Sequence, residues 1–157
     1  MKLLRIYVDT SVIGGCLDVE FAEESQRLIE ALRNKKAIML LSDLIISELI
    51  NAPVDVRNIL PSLNSEIIEN VPLTEEIIAF RDAYLAAGVV TSKSLNDATY
   101  VAAATVARAD AIVSWNFKHI VRLDKMRAYN QINLLNGYGI LTIVSPKEVL
   151  FDESDEN

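Results

Sequence analysis

Asp9 closes an almost continuously apolar run, Leu3-Leu4-Arg5-Ile6-Tyr7-Val8, and is followed by Thr10-Ser11-Val12. A carboxylate at the end of a strand buried on both faces is aimed at the crevice where strand ends and helix starts converge. A turn or N-cap Asp has the same signature. Glu48 stands in Leu44-Ile45-Ile46-Ser47-Glu48-Leu49-Ile50, with Leu44 and Ile45 at i−4 and i−3, so an acid lies at the margin of an apolar helix face. Such a group either snorkels or needs a partner, because an isolated buried charge is costly. Asp97 falls in Ser94-Leu95-Asn96-Asp97, a capping-box pattern with Ser94 as N-cap. That role still leaves its carboxylate in a first helical turn, open to a metal. Ser114-Trp115-Asn116-Phe117-Lys118-His119 follows a fourth apolar run; here Asn116 offers an amide oxygen and Ser114 a hydroxyl to hold a neighbour.

Three carboxylates meeting in one crevice would repel, each pair by roughly 3 kcal/mol at about 5 Å and an effective dielectric of about 20. A hard divalent cation relieves that, and all-oxygen ligands favour Mg²⁺ or Mn²⁺ over zinc. Cation-activated water attacking a phosphate is phosphodiester hydrolysis without a nucleophilic side chain. Lys118, Arg122, Lys125 and Arg127, opposed only by Asp124 between 118 and 127, read as phosphate contacts or as a solvated helix face.

The rest of the composition is restrictive. One Cys, Cys16, and one His, His119, exclude a Cys/His zinc site and an internal disulfide, and leave Cys16–His119 as the one conceivable nucleophilic pair. With 157 residues, 51% of them hydrophobic, the chain suits one domain over residues 1–150. The net charge is −7; Asp152, Glu153, Asp155 and Glu156 supply four of the acids, so residues 151–157 are expected to be an acidic, disordered tail. An acidic body does not bind polyanions by bulk charge, so a metal or a local basic patch must do so. No run reaches the roughly 18 apolar residues of a membrane span. Arg5 and Asp9 interrupt the first apolar run, so no signal peptide is expected and the cytoplasm is the expected compartment.

The elements that must position these residues alternate. Strands are predicted over 3–8, 37–41, 66–71, 111–114 and 140–144, and helices over 23–34, 44–51, 54–60, 74–87 and 94–108, with a basic helical stretch ending near Leu135. Gly88 ends one helix, and Gly137 and Gly139 flank the last turn. Apolar strands alternating with helices predict an α/β fold, a three-layer α/β/α sandwich around a mostly parallel sheet. Ligands bind beyond the carboxyl ends of such strands, which directs attention to residues 9–11, 42–48 and 114–116.

Taken together, Val8-Asp9-Thr10-Ser11, Ser47-Glu48-Leu49, Asn96-Asp97-Ala98 with the alanine-rich Tyr100 to Ala107, and Ser114 to His119 resemble a PIN-domain nuclease, most closely the VapC-like toxins of bacterial toxin–antitoxin pairs. The four motifs keep order and spacing over about residues 3–146. The resemblance implies a PIN-like α/β/α fold and metal-dependent cleavage of RNA. It places Asp9, Glu48 and Asp97 around Mg²⁺ or Mn²⁺, with Asp9 and Asp97 as direct ligands and Ser11 and Ser114 supporting the acids. It further implies an antitoxin whose C-terminal segment fills the groove, and self-pairing as a homodimer. One departure stands out: Asn116 occupies a position where many members carry a fourth acid, which weakens any second metal site.

The alternative from another class is a non-catalytic PIN-fold protein that holds RNA or a peptide in a degenerate site. An aspartyl-phosphate phosphatase related to the haloacid dehalogenases fails at Ser11 and Ile13. Gly14-Gly15 lacks the spacing of a P-loop or dinucleotide fingerprint.

Overall fold

The computed structural model describes residues 2–151. The first apolar run is strand β1 (Leu4–Val8), exposed at Leu4 and buried from Ile6 onward. Helix α1 (Thr10–Gly15) follows at once, an element absent from the expectation. Helix α2 (Ala22–Arg33) buries the predicted face of Ser25, Leu28, Ile29 and Leu32. Strand β2 (Ala37–Ser42) runs into helix α3 (Asp43–Ile50), capped by the Ser42 hydroxyl, which accepts from Ile45 N at 3.4 Å and pairs with the Tyr7 phenol at 2.7 Å.

Helix α4 (Val54–Arg57) is a single turn rather than a helix to Leu60. Pro61 restricts Leu60 and has no N–H to give, so residues Leu60–Ser62 continue as a 3-10 turn. Strand β3 (Ile68–Val71) starts late because Asn64 caps a 3-10 turn at Ser65–Ile67. Then come α5 (Glu75–Ala86), capped by Thr74, and α6 (Leu95–Val106), buried along Ala98–Thr105. Strand β4 (Ala111–Val113), helix α7 (Leu123–Leu135) and strand β5 (Thr142–Val144) complete the order. β5 is two residues shorter than predicted. The Asn130 side chain takes both backbone groups of Leu141, donating to its carbonyl at 3.1 Å and accepting its N–H at 2.7 Å, which withdraws Leu141 from the sheet.

All four pairings are parallel, in the order β3-β2-β1-β4-β5, and helices flank the sheet in a three-layer α/β/α sandwich as predicted. From β1 the chain winds outward to β3 on one side and to β5 on the other. The strand order therefore switches between β1 and β4, and the crevice of such a sheet opens at their carboxyl ends. Phe151 packs on the core, and the remainder of the predicted acidic tail lies outside the described residues.

Arg5 ties the far end of the sheet together. Its guanidinium donates to Glu69 Oε1 at 2.9 Å and Oε2 at 2.5 Å, and to the carbonyls of Arg108 and Ala107, both at 3.0 Å, at the end of α6. The hydrogen bond from Arg5 holds the Glu69 carboxyl below its ordinary value. A carboxyl lowered on folding stabilises above its unfolded pKa, and that contribution is lost as pH falls through the folded one. Glu69→Gln should therefore melt below the parent at pH 7, with the gap closing in acid. Arg5→Met should destabilise by about 1–3 kcal/mol by stranding its partners; urea unfolding of the two variants across pH checks both.

Candidate active site

Asp9 leaves β1 in extended conformation, with its N–H on Val113 O of β4 at 3.2 Å. Its carboxylate caps α1: Oδ1 accepts from Ser11 N at 2.8 Å and from the Ser11 hydroxyl, and Oδ2 accepts from the Ser114 hydroxyl. It is both the N-cap and the buried strand-end acid, at 2% exposure. Burial pushes its pKa up, the serine hydrogen bonds oppose this, and the nearby Asp97 charge adds to the rise.

Ser11 and Ser114 each work twice. The Ser11 hydroxyl accepts from Trp115 N at 3.0 Å and the Ser114 hydroxyl from Asn116 N at 2.9 Å. The loop after β4 is thereby stapled to Asp9.

Asn116 carries the connection onward. Its Nδ2 donates to Asp97 Oδ1 at 3.0 Å, while its Oδ1 accepts from Lys118 N at 3.2 Å and His119 N at 2.9 Å. Two backbone donors fix the oxygen on the loop side, so the amide cannot be reversed without losing both. The expected amide oxygen in the crevice is thus corrected: Asn116 presents hydrogens there, to Asp97. The expected capping box is not formed either, since Ser94 makes no side-chain cap bond. A 3-10 turn at Ser92–Ser94 leads into α6 instead, leaving the Asp97 carboxylate to Asn116. Asp97 is half-buried; burial raises its pKa, His119 and Asn116 oppose, and Glu48 adds to the rise.

Glu48 projects from α3, half-buried. Its Oε1 accepts from the Tyr100 phenol and from Thr10 Oγ1 at 3.1 Å, and Thr10 and Tyr100 are themselves 3.4 Å apart. Tyr100 sits one turn beyond Asp97 on α6, and Thr10 follows Asp9. Burial and the Glu48 carboxylate push the phenol far up, so it stays a donor. Neither residue was singled out by sequence; the signal was a polar-tipped aromatic at i+3 from Asp97.

The structure thus brings Asp9, Ser11, Ser114, Asn116 and Asp97 into one hydrogen-bonded chain, with Glu48 joined to it through Thr10 and Tyr100. The Asp97 charge adds to the rise at Asp9, and the Glu48 charge to the rise at Asp97. Among the described residues, however, no three of His, Cys, Asp and Glu are disposed to close around one ion. Two carboxylates and water meet the needs of Mg²⁺, which keeps several waters and takes one or two protein acids. The donor set fits that ion.

Of the predicted phosphate contacts, Lys118 is exposed, whereas Arg122 is engaged with Asp124 at 2.6 and 2.8 Å. Lys125 donates to Val89 O at 2.5 Å. Cys16 is buried with its thiol against Val12 O at 3.7 Å, and makes no pair with His119.

No protein-family model and no curated protein matches this sequence. Solved structures do match. A chain of VapBC2 from Rickettsia felis, bound to a DNA fragment from their promoter, has a TM-score of 0.56 at 13% identity over 90% of this chain and 98% of its own. FitAcB from Neisseria gonorrhoeae has a TM-score of 0.56 at 15% identity over 92% of this chain and 99% of its own. FitAB bound to an IR36 DNA fragment gives 0.56 at 14% over 94% and 99%. The likeness is one of fold, and the fold is PIN-like.

Proposed function

We propose that this chain is a metal-dependent endoribonuclease and the toxin of a toxin–antitoxin pair. The observation that carries the reading is the hydrogen-bonded chain from Asp9 through Ser114 and Asn116 to Asp97, at the switch point of a PIN-like sheet. Asp9 and Asp97 would hold Mg²⁺ or Mn²⁺. When bound, such a cation supplies a lowered pKa for its water and neutralises charge on the phosphate.

Glu48 is the general base. It takes a proton from the attacking water as oxygen adds to phosphorus; the P–O bond to the ribose oxygen breaks, and that oxygen leaves with the electron pair and takes a proton from solvent water. Tyr100 and Thr10 occupy Oε1 and so leave Oε2 for that proton. Asn116 holds Asp97 in its rotamer, and Ser11 and Ser114 hold Asp9. Tyr100→Phe removes one of the two donors to Glu48, and cleavage should fall about 10–100-fold, as for other supporting-shell losses. Unchanged turnover would show that Glu48 needs no such support.

The VapBC2 neighbour carries the name of the toxins that the sequence resembles, which supports an antitoxin partner; its C-terminal segment would fill the groove. The chain acts on RNA as a homodimer in the cytoplasm; among the described residues no helix is long and apolar enough to cross a membrane.

The test is cleavage of single-stranded RNA by the purified chain. Mg²⁺ or Mn²⁺ should support cleavage and EDTA should stop it; cleavage that ignores the chelator removes the reading. A second reading, a PIN-fold protein that binds RNA or a peptide without cutting, is favoured by one observation: the Asn116 amide already satisfies one Asp97 oxygen. RNA binding with no cleavage under either metal would select it.

A further inference from the structure

Phe117 is 45% exposed in the turn that carries Asn116. Hydrogen bonds fix the backbone at this residue and at the two that follow it. Its N–H is on Trp115 O at 2.9 Å, and the Asn116 carboxamide fixes the next two N–H groups. Its ring meets the edge of Trp115 at 6.1 Å between centroids, and Trp115 in turn stacks on Phe21 at 4.3 Å. The buried Trp115 thus links the partly buried Phe21 to the exposed Phe117, so the outer ring is presented against a fixed neighbour with little conformational freedom to lose on binding. Exposed Lys118 follows it directly, and exposed Lys93 lies just before the helix that carries Asp97. Neither has an ion-pair partner among the described residues.

We propose that Phe117 is a stacking platform for an unpaired nucleobase, with Lys118 beside it for a phosphate, so that this face takes single-stranded RNA. The inference deepens the nuclease reading and rests on it for the position of the scissile phosphate. An acidic chain cannot rely on bulk charge to hold RNA, and base stacking is a sequence-tolerant source of affinity that needs no positive charge. Bases within a duplex are already stacked and unavailable.

Trp115, the sole tryptophan, makes the test direct. A base on Phe117 should quench Trp115 emission. The intact chain is titrated with single-stranded RNA, with Ca²⁺ in place of Mg²⁺ and again in EDTA, and so needs no turnover. Phe117→Ala should weaken binding about 5–150-fold, the worth of one stacked base, and lose the quench. Phe117→Tyr should keep both, Phe117→Leu should behave like Ala, and duplex RNA of the same sequence should show no Phe117-dependent component. Equal binding by Phe117→Ala and the parent overturns the proposal, as does Leu serving as well as Tyr. So does an altered oligomeric state in Phe117→Ala with unchanged RNA binding, which would make Phe117 a protein contact. Phe117-dependent binding without cleavage leaves the platform standing and removes the nuclease; cleavage indifferent to Phe117 does the reverse. Should the Ala variant fail to fold, the Tyr and Leu pair carries the comparison.

Discussion

Asp9→Asn is expected to reduce RNA cleavage by about 10³-fold or more, and at the same time to raise the melting temperature of the metal-free protein at pH 7. The two effects share one cause. The Asp9 carboxylate is 2% exposed, and burial lifts its pKa above the unfolded value. A carboxyl raised on folding contributes its full stability below the unfolded pKa of roughly 3.9, and that contribution is lost as pH rises through the folded one. Above the unfolded pKa the metal-free protein therefore bears the cost of keeping this carboxyl buried beside Asp97, whether as an anion or by holding a proton, and Asn removes that cost while keeping the shape. Its oxygen can still accept from Ser11 N and the Ser11 hydroxyl, and its amide can donate to Ser114 Oγ, which has room beside Asn116 N. Each kcal/mol gained should appear as about 2–4 °C. The gap between variant and parent should shrink as pH falls below the unfolded pKa, where the carboxyl is protonated both folded and unfolded, and added Mg²⁺ should stabilise the parent alone. Asp97→Asn should lose as much activity but gain less stability, because Asp97 is only half-buried. Calorimetry of both variants with EDTA and with Mg²⁺ decides it. A parent that melts above Asp9→Asn in EDTA at pH 7 would mean that the serines fully compensate the charge.

Sequence was informative where one face or one period dominates. β1 from Ile6 onward and β2 up to Leu41 are wholly apolar because helices cover both faces, and Asp9 was legible as the acid that follows the first of them. α1 escaped because Thr10-Ser11-Val12-Ile13-Gly14-Gly15 has poor intrinsic helicity, with two β-branched apolar residues and two glycines. It forms because Asp9 caps it and because Val12 and Ile13 are wholly buried, and tertiary packing outweighs local preference. The direction of the Asn116 amide was equally invisible: it is set by where the N–H groups of Lys118 and His119 end up, which is a property of the folded turn. Tyr100 and Thr10 lie on elements carrying named acids, yet their common partner is on α3, and no single-segment pattern links the three.

Trp115→Ala should destabilise by about 3–5 kcal/mol, the range for emptying a large aromatic site. Trp115 is 6% exposed, stacks on Phe21, and donates its indole N–H to Ser25 Oγ at 2.7 Å. That fit exists because Gly15 has no side chain: a Cβ there would stand 2.6 Å from Ser25 Oγ and 3.0 Å from the indole nitrogen. Gly15→Ala alone should therefore destabilise by about 1–3 kcal/mol through overpacking. The double variant should be less destabilised than the two singles added together, because a methyl at 15 can enter the space the indole leaves. Urea unfolding followed by circular dichroism measures all three, since the variants lacking Trp115 have no indole emission. Strict additivity would show that Gly15 and Trp115 do not share a cavity. Sub-additive stability should not restore cleavage, because the Trp115 N–H that anchors the loop on Ser11 Oγ depends on the ring to keep residues 114–116 in place. Activity that recovers with stability in the double variant would mean the Ser11 and Ser114 hydrogen bonds hold the Asn116 turn without the ring.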